Sequence, residues 1–151
     1  IDSDGTPKVI EYNCRFGDPE CQIVLPLYKG DVLELLDACA QGKISQIQVE
    51  ENEGSAAIVV LASKGYPGSY AKGKVITGIN KVPAGTHVIH AGTRLVGGDL
   101  QTSGGRVMGV VGQAPTLKEV LDLCYQGVDL VQFEGVQFRK DIGQKGLNRV
   151  E

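Results

Sequence analysis

Long hydrophobic runs are missing from this chain. No apolar stretch approaches the roughly 20 residues of a spanning helix, so nothing in it reads as a membrane segment. Runs of basic residues are missing too. Lys and Arg stand singly and the net charge is -3, which argues against a nucleic-acid scaffold or a membrane-surface anchor. The four cysteines, Cys14, Cys21, Cys39 and Cys124, form no Cys-x-x-Cys pair, and no histidine stands near them at zinc spacing. Two readings remain for them, disulfides or buried reduced thiols. Three lie in apolar patterns, which favours the thiols and a reducing compartment. No secretory signal pattern is present, and the expected location is the cytoplasm. There is no internal repeat and no low-complexity tract.

What is present is one domain's worth of chain. The 151 residues are 42% hydrophobic, enough to bury a core and too much for intrinsic disorder. The 21 glycines point to many tight turns between short strands.

The most concentrated chemistry lies in Glu11-Tyr12-Asn13-Cys14-Arg15-Phe16-Gly17-Asp18-Pro19-Glu20. Pro7-Lys8-Val9-Ile10 reads as the start of a strand. If it runs to Arg15, Ile10, Tyr12 and Cys14 share one apolar, buried face, while Glu11, Asn13 and Arg15 share a polar one. Two uses of that polar face stand side by side. One is a solvated row of ion pairs on a strand edge. The other is a cation site: Mg²⁺ takes hard oxygen ligands, usually one or two from protein, and Glu11 and Asn13 can both reach one ion. Arg15 then offers a planar fork to a phosphate. Gly17-Asp18-Pro19 turns the chain, and Asp18 can accept from a hydroxyl or an amine.

Downstream, Cys21 to Leu27 reads as a short helix. Asp31 to Ala40 reads as an amphipathic helix with Val32, Leu35, Leu36 and Cys39 on one face, capped by Asp31 and stopped by Gly42. Lys43 to Ser55 is a polar connector whose acidic cluster is a solvated turn rather than a metal site. Ala56 to Ala62 is a buried strand, followed by the tight loop Lys64-Gly65-Tyr66-Pro67-Gly68. A lysine beside that turn raises the alternative of a biotin or lipoyl carrier. Short strands are expected over 75–79, 86–91, 93–96, 100–102 and 106–111, with a hairpin at Gly97-Gly98-Asp99. His87 and His90 are on one strand and face opposite ways, so they do not share a metal; His90 reads as a structural histidine. Gly104-Gly105-Arg106 is either a plain turn or a phosphate cradle. Thr116 to Tyr125 is a helix opened by a Thr116/Glu119 capping box and ended by Gly127. Val131 to Arg139 reads as a strand pair or bulged strand, and Arg139 as the partner of Asp141 or a contact for substrate phosphate.

The stretch Arg15-Phe16-Gly17-Asp18-Pro19-Glu20-Cys21-Gln22, with Glu11-Tyr12-Asn13-Cys14 before it, resembles the signature of the phosphoribosylamine–glycine ligases (glycinamide ribonucleotide synthetases), which are ATP-grasp enzymes. Ala62-Ser63-Lys64-Gly65-Tyr66-Pro67-Gly68, His90-Ala91-Gly92-Thr93, Gly104-Gly105-Arg106-Val107 and Phe138-Arg139-Lys140-Asp141-Ile142-Gly143 resemble the same family's C-terminal region, in the same order.

The resemblance implies an α+β fold. Residues 1–41 end an ATP-grasp domain, 42–55 connect, and 56–151 form a small, mostly antiparallel β domain with a packed helix. It implies that Glu11 and Asn13 bind Mg²⁺ (or Mn²⁺) accompanying ATP, and that Arg15 and Asp18 orient the substrate. Lys64 and Arg139 are further substrate contacts. The implied partners are glycine, 5-phosphoribosylamine, ATP and N-terminal domains expected to precede residue 1. The implied reaction is purine-biosynthetic ligation through glycyl phosphate, with this piece alone inactive. The alternative is a non-catalytic assembly module that completes the active site of a separate N-terminal part.

Overall fold

The computed structural model describes residues 2–148. Its centre is the apolar run that forms strand β1, Ser55–Ser63. Strand β5, Arg106–Ala114, lies antiparallel beside it, and β2, Thr86–His90, pairs antiparallel on the far side of β5. A two-residue strand β6, Val136–Gln137, closes the other edge, giving the order β2-β5-β1-β6. Between β2 and β5 the chain makes a separate hairpin of β3, Thr93–Val96, and β4, Asp99–Thr102. Its turn is the expected Gly97-Gly98, with positive φ at both residues, as a two-residue hairpin loop requires.

One face of the four-stranded sheet is covered by helix α3, Leu117–Leu130. The Thr116 side chain accepts from the Glu119 backbone, and the Glu119 side chain accepts from the Thr116 amide, so two orphan amides at the helix N-terminus are satisfied. Val120, Leu121, Cys124 and Val128 of α3 are buried against Ala57, Val59, Leu61 and Val110 of the sheet. Each fully buried aliphatic side chain contributes about 1.5–3 kcal/mol. A last short helix, α4 at Gln144–Leu147, packs beside α3, with Ile142 and Leu147 against the same core.

The opposite face carries the N-terminal segment. Helix α1, Cys21–Val24, and the 3₁₀ turn Leu25–Leu27 lie along it. Asp18, Pro19 and Gln22 meet Ile58, Val60, Ile89 and Gly109 there. Helix α2, Val32–Ala40, follows; the Asp31 carboxylate accepts from the Leu33 and Glu34 amides at 2.7 and 3.3 Å. The fold is α+β, as expected, with antiparallel sheets and a packed helix.

Six local expectations are corrected. Residues 7–15 form no strand: Ile10 is 94% and Tyr12 84% exposed, because among the described residues no neighbouring strand offers a ladder. Helix α3 runs through Gly127 rather than ending there. A Cβ at 127 would sit 2.8 Å from Val110 Cγ1, so this glycine serves close packing on β5. Residues 75–79 make only isolated bridges, at Val75 and Thr77, and turn at Gly78 with φ 83°. The 131–139 region is reduced to β6 and one bridge at Gln132, broken by Gly135 at φ 76°. Of the cysteines only Cys124 is buried, and all four are free thiols. Likewise Leu36 and Cys39 of α2 face solvent, and Ala38 is the residue that helix buries. Of the stripe predicted to be its apolar face, Val32 and Leu35 are half-buried, and no layer among the described residues lies over Leu36 and Cys39.

Candidate functional site

The polar residues of 11–18 are exposed on an extended segment leading into α1. Although the segment is not a strand, it brings the two expected cation ligands together. Asn13 Nδ2 donates to Glu11 Oε1 at 3.0 Å. A half-turn of the amide exchanges its nitrogen for Oδ1 and sets two oxygens side by side. These donors suit a hard cation that completes its shell with water and phosphate oxygens. Among the described residues no cluster of three or more His, Cys, Asp and Glu side chains offers a fuller cage. Arg15, next on the segment, donates Nη1 to its neighbour's carbonyl, Phe16 O, at 2.9 Å, which leaves most of its five donors for other partners.

Asp18 is held more firmly. Arg106, 88 residues further along, donates Nη1 to the Asp18 carbonyl at 2.8 Å and Nη2 to Asp18 Oδ2 at 2.7 Å. Gln22 donates Nε2 to Oδ1 at 3.2 Å, while the Gln22 Oε1 atom is buried without a partner. The signature turn is therefore fastened both to the first strand residue of β5 and to α1.

Beside this fastening lies an open groove of about 540 Å³, lined by Val60, Ala62, Tyr66, Pro67, Arg106, Gln137, Phe138 and Arg139. It brings Arg139 and Arg106 to one cavity. Glu11, Asn13, Arg15 and Lys64 are not among its lining residues. Lys64 is exposed where β1 enters the tight loop, next to Gly135, whose Cβ position would be 3.0 Å from Lys64 Cβ. Arg139 forms a bidentate pair with Asp141, Nε to Oδ1 at 2.9 Å and Nη2 to Oδ2 at 2.6 Å. Those hydrogen bonds hold the Asp141 carboxyl below its ordinary range and the Arg139 guanidinium above its own.

The two alternatives for Gly104-Gly105-Arg106 separate cleanly. The Gly104 amide already donates to Gly92 O at 3.1 Å and Arg106 is engaged by Asp18, so the segment is a structural turn. His90 shares a hydrogen bond with Thr93 Oγ1 at 3.1 Å, as a structural histidine does. Gln22 and Gln137 are site neighbours that the sequence did not single out, and Arg106 stands here as the partner of Asp18 rather than of a phosphate. A basic residue opening an otherwise apolar strand was the available signal for Arg106.

Comparisons with known proteins agree on one family. The family model described as "Phosphoribosylglycinamide synthetase, C domain" matches residues 56–145. A phosphoribosylamine–glycine ligase of Ralstonia nicotianae is 45% identical over 99% of this chain and 35% of its own length. One of Chlorobaculum tepidum is 50% identical over 95% of this chain and 34% of its own length. The trifunctional purine biosynthetic protein adenosine-3 of Gallus gallus is 46% identical over 93% of this chain and 14% of its own. The crystal structure of the Thermotoga maritima phosphoribosylamine–glycine ligase superposes with a TM-score of 0.71 at 35% identity, covering 91% of this chain and 34% of that one. The chain thus spans about a third of the length of the single-function ligases it matches.

Proposed function

This chain belongs to the phosphoribosylglycinamide synthetase family, and from that premise we propose that it is the C-terminal part of a ligase joining glycine to 5-phosphoribosylamine. In this proposal residues 1–41 end the ATP-grasp domain, 42–55 connect, and 56–151 form the C-terminal domain. ATP is the cosubstrate and is cleaved to ADP and phosphate. The glycine carboxylate attacks the γ-phosphorus, ADP leaves, and glycyl phosphate forms. The amine of phosphoribosylamine then attacks the acyl carbon and phosphate departs.

The observation that carries the reading is the Glu11–Asn13 pair, two side chains with hard oxygens that meet on an exposed segment, Asn13 Nδ2 donating to Glu11 Oε1 at 3.0 Å. Mg²⁺ (or Mn²⁺) bound there would offset charge on the transferring phosphoryl group. Arg15, whose fork is mostly uncommitted, faces the same charge. Asp18 accepts an N–H of the amine and orients it. Each carboxylate oxygen has room for a second donor beyond the Arg106 and Gln22 contacts. Arg139 and Lys64 are assigned to the periphery of the substrate site. The free thiols suit the cytoplasmic setting of purine synthesis.

A second reading is supported by exposed apolar side chains concentrated before residue 41: Val9, Ile10, Tyr12, Val24 and Leu33 are each more than half exposed. Such a surface awaits packing partners. In that reading the chain alone is a non-catalytic module that completes the active site of a separately made N-terminal part. Mixing this chain with the N-terminal two-thirds of a relative, and assaying glycine-dependent ADP release, tests both. The proposal predicts activity in the combined or fused protein and none in this chain alone. Absence of glycine-dependent release from the fused protein overturns the ligase assignment.

A further inference from the structure

Arg106 reaches Asp18 only because β5 is bulged. Along most of the β1–β5 pair the register is regular, with Val59 opposite Val110, Val60 opposite Gly109 and Leu61 opposite Met108. The next pair is Ala62 with Arg106, so Val107 is an extra residue. In an unbroken strand Arg106 and Met108 would point to the same face, the one under α3. The bulge instead lets two successive residues, Val107 and Met108, both enter the core at 0% and 1% exposure. Arg106 is turned to the other face, with Val60 and Ala62, towards the signature turn. Bulges are used to re-aim a side chain beside functional sites.

The backbone around Arg106 is shaped for that aim. Gly92 donates its amide to Arg106 O at 2.9 Å. A Cβ on Gly92 would sit 2.6 Å from Arg106 O and 2.5 Å from Gly104 Cα. A Cβ on Gly105 would strike the Tyr66 ring. The product of this arrangement is an ion pair whose side chains remain 38% and 53% exposed. A pair that open to water adds little to stability. Its value lies in geometry: two donors of one planar fork fix both the backbone and the carboxylate of the same residue.

We propose that Arg106 is a positioning residue for the ligation. By holding Asp18 O and Oδ2, it presents the Asp18 carboxylate to the amine substrate in one orientation. This rests on the function proposed above, and it adds a role for a residue of the C-terminal domain in the substrate step.

The test uses the intact ligase with Arg106→Gln, Arg106→Lys, Asp18→Asn and the Arg106→Gln/Asp18→Asn double variant. Misplacing a substrate-orienting group costs up to about a hundredfold. Arg106→Gln is expected to lower kcat/KM for phosphoribosylamine by about tenfold to a hundredfold, leave the KM for ATP unchanged, and keep the parent melting temperature. Arg106→Lys, which keeps charge without the fork, recovers part of the loss. In the Asp18→Asn background Arg106→Gln costs nothing further, because residues acting through one another are not additive. Parent-like kinetics in Arg106→Gln overturn the proposal. So does an equal loss in the Asp18→Asn background, or a loss that only tracks the folded fraction. If the unmodified ligase shows no glycine-dependent ADP release, the functional reading fails first and this role falls with it; parent activity with an indifferent Arg106 sinks the positioning role alone.

Discussion

The backbones of Gly92 and Gly104 are in direct contact, so neither position has room for a side chain: a Cβ on Gly92 would lie 2.5 Å from Gly104 Cα and 2.7 Å from Gly104 N. Gly92 O also accepts from the Ser103 and Gly104 amides at 2.7 and 3.1 Å. The obstructing atoms are backbone and cannot swing aside. Gly92→Ala is therefore expected to destabilise the fold by about 1–3 kcal/mol, the usual cost of overpacking. Urea unfolding of this chain measures it, and an unchanged midpoint would show that the two turns separate without cost.

Cys124 is the one thiol sealed in the core, under α3, where its Sγ approaches Ala57 O at 3.4 Å. Burial pushes its thiol up from the ordinary 9.0 to about 11. A folded value above the unfolded one means that its contribution is fully present below pH 9.0 and is lost as pH rises towards about 11. Stability measured between those limits should fall, and Cys124→Ala should flatten that part of the profile. Alkylation at pH 8 should modify the exposed Cys14 and Cys39 and spare Cys124 until the protein unfolds. Labelling of Cys124 in the native state contradicts this placement.

Arg139 and Asp141 form a largely exposed pair, their side chains 72% and 63% accessible. The Asp141 carboxyl is held low, so the pair acts above the ordinary carboxylate range and is lost on acidification. Exposure screens it, and Arg139→Gln should leave the melting temperature at neutral pH unchanged. If Arg139 also meets substrate phosphate at its groove, the same change should raise the KM for phosphoribosylamine several-fold in the intact ligase. An unmoved KM confines Arg139 to its ion pair.

Much of the sheet and both longer helices were legible because their signals are local. The apolar run 56–62 became β1, Thr116 and Glu119 marked the start of α3, and Gly97-Gly98 marked the hairpin. The failures come from contacts between distant parts of the chain. Gly127 resembles a helix stop until Val110 is placed beneath it. Ile10, Tyr12, Leu36 and Cys39 fit buried patterns, yet nothing among the described residues covers them. In the site, Glu11 and Asn13 are hydrogen-bonded to each other, although the strand expected to align them is not formed. The Arg106–Asp18 contact was not legible, because it depends on a one-residue bulge that alternation of side chains cannot reveal.

The account rests most directly on the Glu11 and Asn13 oxygens as cation ligands. The decisive measurement is glycine-dependent ADP release by the intact ligase over a range of Mg²⁺ concentrations, for the parent, Glu11→Gln and Asn13→Ala. The account predicts that both variants stay folded, turn over at least about a hundredfold more slowly at ordinary Mg²⁺, and need far more Mg²⁺ to reach half of their own maximal rate. Variants with the parent's rate and Mg²⁺ dependence would contradict it.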